Sequence, residues 1–216
     1  ERMERGWGEI VMIMLYVSSA ASLYIIPPYI ALQRDMSPLL RGALAMQICV
    51  NAFKLHSYFM TNRYLRKSRK AKPKTYKQLL FGYLDFLRMP TLVYEKNYPR
   101  KDRIDIVYVM KETAGMLICF VSMYLVIQKF LMPYIEMGEE IRFYELVYLL
   151  GVPTLFLWVI GFYGVFHCML NVIAELARFE DREFYLDWWS STSMSEFWRL
   201  WNRAVYKFMC RHIYPE

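Results

Sequence analysis

The residues best suited to chemistry stand in two stripes. His167, Asn171 and Glu175 recur at i, i+4 and i+8, so an α-helix sets them on one face, and Arg178 and Arg182 extend it. Ionisable groups at membrane depth are costly and mark functional sites by default. The stripe reads as the wall of a polar cavity or substrate tunnel, with His167 as the candidate base. The alternative has His167 and Asn171 hydrogen-bonding neighbouring helices. The second stripe is Glu196, Arg199, Arg203, Lys207 and Arg211, opposite Phe197, Trp201, Ala204, Val205 and Phe208. Ser193-Met194-Ser195-Glu196 is a capping box that opens this helix. Such an amphipathic helix lies along a membrane surface. Its cations beside aromatic rings also suit an anionic, adenine-bearing ligand such as coenzyme A, and the pattern alone does not choose.

Other chemistries find no support. His167 and Cys168 are adjacent, and nothing else supplies metal ligands at workable spacing. There is no G-x-S-x-G nucleophile elbow and no phosphate-cradling glycine loop. Cys49, Cys119, Cys168 and Cys210 read as small apolar residues, and His56, near Lys54, reads as interfacial.

The elements that position these residues are membrane helices. Of 216 residues, 56% are hydrophobic, 18% aromatic and 22% charged, with a formal net charge of +7. Disordered chains are poor in such residues, and four cysteines are too few for a disulfide-stapled secreted domain. A spanning helix needs about 20 mostly apolar residues. Four stretches meet this, at about 10–33, 42–60, 113–135 and 146–174. The expected fold is all-α, a multi-pass transmembrane bundle with cytosolic amphipathic helices. The stretch 61–106 holds thirteen Lys/Arg against four Asp/Glu, whereas 134–145 holds Glu136, Glu139, Glu140 and Glu145 against Arg142. Positive loops stay cytosolic, so 61–106 and 175–216 are expected there, with 34–41 and 134–145 opposite. The cluster Arg63, Arg66, Lys67, Arg69, Lys70, Lys72, Lys74 and Lys77 reads as a topology signal touching anionic headgroups. Without a supporting fold motif it does not read as a nucleic-acid site. Both ends, at Glu1-Arg2-Met3-Glu4 and Tyr214-Pro215-Glu216, are read as cuts, making 1–216 part of a single domain.

The run Asn171 to Trp189, ending Phe184-Tyr185-Leu186-Asp187-Trp188-Trp189, resembles the signature of the membrane-bound O-acyltransferase superfamily. Its F-Y-x-D-W-W-N motif is similar to that of the sterol and diacylglycerol O-acyltransferase branch. Pro90-Thr91-Leu92-Val93-Tyr94, Tyr98-Pro99-Arg100 and Trp201-Asn202 strengthen the likeness, which covers roughly 54 to 214. Lys54-Leu55-His56-Ser57, Phe166 to Asn171 and the short basic loop between Ser57 and Pro90 look closer to the sterol enzymes. Phe197-Trp198 and Arg211-His212-Ile213-Tyr214 resemble the diacylglycerol branch.

The resemblance implies an acyl-CoA:sterol O-acyltransferase of the endoplasmic reticulum membrane, forming homo-oligomers. An acyl-CoA:diacylglycerol O-acyltransferase, or a non-catalytic membrane relative, is the alternative. Acyl-CoA is then a co-substrate and no cofactor or metal is required. A lipid hydroxyl is a poor nucleophile, so a base must take its proton during attack on the thioester. The resemblance places that base, a His, beyond Glu216, which leaves residues 1–216 without it and inactive alone. It gives Asn202 the catalytic role of orienting the base or donating to the oxyanion. Phe184, Tyr185, Asp187, Trp188, Trp189, Trp201 and Tyr206 become the acyl-CoA site, and His167, Asn171 and Glu175 become tunnel lining. Two departures stand out: Ser190 replaces the motif's Asn, and Tyr206 stands where relatives carry His.

Overall fold

The computed structural model describes residues 2–68, 75–137 and 142–214. Arg69, Lys70, Lys72 and Lys74 of the basic cluster lie outside the described residues, as do Glu139 and Glu140 of the acidic turn and the side chain of Glu136. The described chain is helical and contains no strand, only an isolated bridge between Arg100 and Phe179. It divides into two units, Glu1–Asn97 with Ala204–Glu216, and Tyr98–Arg203.

In the first unit, α1 (Arg2–Gln33) and α2 (Pro38–Lys67) form a helical hairpin. Ser37 ends the turn because its Oγ accepts from Leu40 N while Pro38 takes the first helical position, where no N–H is needed. The pair is held by Tyr16 stacked on Phe59 at 4.3 Å and by Glu9, which accepts from Arg63 at 2.8 Å. Helix α3 (Tyr76–Arg88) opens on a Thr75–Gln78 capping box. Its C-terminal end is closed from outside: the Lys54 ammonium of α2 donates to the carbonyls of Phe86, Leu87 and Met89 at 3.0, 3.0 and 2.6 Å. All three N–H groups of the ammonium are thus used, and the positive charge sits at the negative end of the α3 dipole. That arrangement explains a lysine only 5% exposed. Helix α9 (Arg203–His212), in this unit from Ala204 on, packs Phe208 against Leu92, Val93 and Phe53.

In the second unit, α4 (Ile106–Val126) starts at the Asp105 cap, whose Oδ1 accepts from Tyr108 N, and runs through a π-helical segment, Ile127–Leu131, into α5 (Met132–Met137). Helix α6 (Phe143–Phe162) continues through a second π segment, Tyr163–Met169, into α7 (Leu170–Leu176). Small residues let α4 approach this π segment closely. A Cβ on Gly115 would stand 3.1 Å from Cys168 Sγ, and one on Gly164 would stand 3.1 Å from the Cys119 side chain. A single 3₁₀ turn, Trp188–Ser190, precedes α8 (Met194–Trp201).

Among the described residues, three helices are long and apolar enough to cross a bilayer: Glu9–Gln33, Ile106–Ile135 and Phe143–Leu176. Apolar side chains along them are open, such as Ile25, Ile118 and Leu155 at 63, 66 and 67% exposure, and water would penalise such surface. The expected span 42–60 lies inside α2 but is not among the three. Gln47, Asn51, Lys54 and His56 interrupt its apolar run. Nor is 61–106 simply a loop, since α2 continues to Lys67 and α3 occupies 76–88.

Candidate functional site

The sequence-predicted residues of the second unit gather where the chain turns from α7 to α8. Helix α7 ends at Ala177 in a Schellman motif, with Arg178 N donating to Glu175 O and Phe179 N to Ala174 O. Arg178 takes the left-handed conformation there at φ 55°. The chain then pairs briefly with the Tyr98-Pro99-Arg100 motif, through Lys101 N to Arg178 O at 2.9 Å and Glu180 N to Pro99 O at 3.1 Å. Two regions recognised separately in the sequence are therefore one structural joint.

Glu175 locks this joint. It is 1% exposed; Oε1 accepts from Asp105 N at 2.8 Å, and Oε2 faces Lys101 Nζ at 3.3 Å and the Arg182 guanidinium. Expected on a tunnel wall, it is instead a fully engaged buried anchor. Asn171 turns its Nδ2 back to His167 O at 2.8 Å. His167 lies inside the π segment, where the extra residue per turn shifts it out of the α-helical register that Asn171 and Glu175 share on α7.

His167 is held on three sides. Its Nδ1 is hydrogen-bonded to Tyr185 OH at 3.0 Å, its Nε2 lies 3.8 Å from Glu112 Oε2, and the Tyr163 ring stacks on it at 4.7 Å. Nδ1 is thus engaged by Tyr185, while Nε2, on a side chain 33% exposed, faces the buried Glu112 carboxylate. Burial first, then Cys168, Glu112 and Asp187, pushes the Tyr185 phenol above its ordinary value, so it keeps its proton. Glu112, 5% exposed on α4, was not singled out in the sequence. It sits one residue before the stretch taken as the span, and an acid opening an apolar run was the available signal.

The Phe184–Trp189 segment is fastened to α8. Leu186 N donates to Leu200 O at 2.9 Å, and Arg203 N donates to Phe184 O at 3.0 Å. Phe184 is buried, while Asp187 and Trp189 are exposed. Trp188 and Trp201 meet an aromatic floor: Trp188 lies 5.2 Å from Phe162 and 5.4 Å from Trp158, and Trp201 lies 6.0 Å from both Phe166 and Phe197. Both indole Nε1 atoms are buried without a hydrogen-bond partner among the described residues. Such orphan donors cost free energy and favour an incoming acceptor. Ser190, in place of the motif's Asn, donates from Oγ to Asp187 O at 2.8 Å and closes the 3₁₀ turn.

Asn202 separates α8 from α9 at φ −138°, ψ 86°. The sequence predicts one amphipathic helix through this point, and the structure breaks it, because Arg203 N bonds to Phe184 O rather than within a helix. The stripe Glu196, Arg199, Arg203, Lys207, Arg211 is therefore divided between two helices. The capping residues hold as expected at Ser193, whose Oγ accepts from Glu196 N at 3.2 Å, while the Glu196 carboxylate reaches Thr192. Tyr206 is half-buried on α9 of the first unit. No group of His, Cys, Asp and Glu among the described residues is placed to hold a metal ion.

These features define a multi-pass helical membrane protein with an aromatic loop pinned beside a broken amphipathic segment. Residues 10–216 match the membrane-bound O-acyltransferase family, and the chain belongs to that family. It is 35% identical to diacylglycerol O-acyltransferase 1 of Arabidopsis thaliana, over 98% of this chain and 43% of that protein. It is 34% identical to diacylglycerol O-acyltransferase 1 of Corylus americana, over 96% of this chain and 42% of the relative. Diacylglycerol O-acyltransferase 1A of Glycine max is 32% identical, over 95% and 45%. The chain thus spans less than half the length of these relatives.

The expected sterol acceptor is not supported by these relatives, whereas the diacylglycerol alternative is. Two residues of one motif that pointed to sterol have structural duties here. Lys54 caps α3, and Ser57 Oγ accepts from Tyr94 N at 2.8 Å, so the motif Lys54 to Ser57 reports on folding more than on the acceptor.

Proposed function

We propose that this chain is part of an acyl-CoA:diacylglycerol O-acyltransferase of the endoplasmic reticulum membrane, which makes triacylglycerol. The observation that carries the reading is identity of about a third, over nearly the whole chain, to proteins named for that reaction. In the proposed step the acceptor hydroxyl oxygen attacks the thioester carbonyl, a His base outside these residues takes the proton, and the CoA thiolate leaves. Asn202 orients that base or donates to the oxyanion. Phe184 to Trp189 and Trp201 hold acyl-CoA, and the orphan indole donors of Trp188 and Trp201 suit its carbonyl oxygens. The role of Tyr206 in acyl-CoA binding is proposed from the family resemblance alone. Acyl-CoA, a diacylglycerol and further copies of the chain are the proposed partners, with no cofactor.

The test is incorporation of labelled oleoyl-CoA by microsomes containing the full-length protein, supplied with diacylglycerol or sterol. Labelled triacylglycerol is expected. Labelled sterol ester instead would overturn the acceptor, and the absence of both products would favour a non-catalytic relative.

A further inference from the structure

We infer that Glu112 is a positioning residue that works through His167 to fix the direction of the Tyr185 hydroxyl in the acyl-CoA site. The inference rests on the reading of Tyr185 given above. A carboxylate within a membrane-spanning helix is expensive, and a partner inside the protein is expected for it. Two groups face it: the Cys168 thiol, which donates to the carboxylate, and His167, whose Nε2 lies 3.8 Å from Glu112 Oε2. The distance exceeds hydrogen-bond length but is well within electrostatic reach where the surroundings are apolar.

The consequence concerns the proton on the ring. A negative charge facing Nε2 favours the tautomer that carries its proton there, as carboxylates do for catalytic and metal-bound histidines. Nδ1 is then a lone pair, and at 3.0 Å it accepts the Tyr185 O–H. The phenol's single proton is thereby directed inward. Its oxygen is left as an acceptor, suited to an amide N–H such as those of the pantetheine arm of acyl-CoA. Stacking by Tyr163 at 4.7 Å and 16° holds the imidazole plane, so the relay has little freedom to turn. Tyr185 itself is seated by Phe162 at 5.2 Å.

Glu112→Gln is nearly isosteric and removes the preference: a carboxamide can turn either its oxygen or its N–H toward Nε2, so the ring proton is no longer fixed there. Tyr185 is then free to receive as well as donate, and its own proton competes for the side facing the ligand. In the full-length protein, the KM for acyl-CoA should rise about fivefold to tenfold with kcat within about twofold, the loss expected of one polar contact. Tyr185→Phe should give the same rise, and the double variant no more than either alone. Additive losses, or an unchanged KM in a well-expressed Glu112→Gln protein, would overturn the relay. If that variant does not fold, Tyr185→Phe decides alone, and an unchanged KM overturns the inference. Wild-type protein without acyl transfer would instead sink the proposed function, and the two failures are distinguishable.

Discussion

The backbone N–H of Arg203 donates to the carbonyl of Phe184 at 3.0 Å, across eighteen intervening positions of sequence. This bond replaces a helical one, so Asn202 stands outside both α8 and α9. It also ties the Asn202 backbone to the start of the Phe184–Trp189 segment. If Asn202 acts at the reacting carbonyl, Asn202→Ala should lower kcat about a hundredfold or more, the range for losing an oxyanion donor. Expression and melting temperature should hold, because the backbone bond survives the change. Activity within threefold of wild type would remove Asn202 from the chemistry.

Glu175 gives a second expectation, on stability. Removing one partner from a buried charge group costs about 3–5 kcal/mol, whereas an exposed pair contributes about 0–1 kcal/mol. The Arg182 side chain is 17% exposed and that of Lys101 is 42% exposed. Glu175→Gln and Arg182→Ala should therefore both lower the thermal midpoint of the detergent-solubilised protein by several degrees. Lys101→Ala should shift it little. Equal shifts for all three would show that burial does not rank these pairs.

The Lys54 cap should be visible locally. Lys54→Met fills the space but takes the ammonium from the Leu87 and Met89 carbonyls, at about 1–3 kcal/mol for each buried group left unsatisfied, while the Phe86 carbonyl keeps its bond from Met89 N. Hydrogen exchange should accelerate at the last amides of α3, with the amides of α6 unchanged. Lys54→Arg should fall between, because a planar fork cannot reproduce three converging bonds. Unaltered exchange in Lys54→Met would mean that water replaces the ammonium at no cost.

Some of this was legible in the chain and some was not. The apolar runs 10–33, 113–135 and 146–174 are visible because lipid demands continuous apolar sequence, and helices occupy all three. The Ser193 cap was visible because its signal is local. The break at Asn202 was not, since its cause is Phe184, distant in sequence. Nor was the π segment around His167, which no periodicity announces and which takes His167 out of the α-helical register that Asn171 and Glu175 share. Lys54 read as part of a sterol-like motif; its three carbonyl partners, distant in sequence, give it a structural role. Ser57 and Tyr94 read as family markers, yet their bond is a fold contact.

Acid should weaken the first unit through His212. Its Nε2 is hydrogen-bonded to Ser57 Oγ at 2.8 Å, and that serine also receives Tyr94 N. Burial first, then the neighbouring His56 and Arg211, pushes His212 down from 6.5 to about 4. The folded pKa is below the unfolded one, so the unfolded chain takes up the proton first as pH falls. Stability contributed by the neutral ring is whole above about pH 6.5, declines through the window down to about 4, and is flat below it. His212→Gln keeps an amide that can bond to Ser57 but cannot titrate. The difference between wild-type and His212→Gln melting temperatures should therefore change by several degrees between pH 7.5 and pH 4.5, with wild type losing more. Parallel pH profiles for the two proteins would show that His212 does not carry the acid sensitivity.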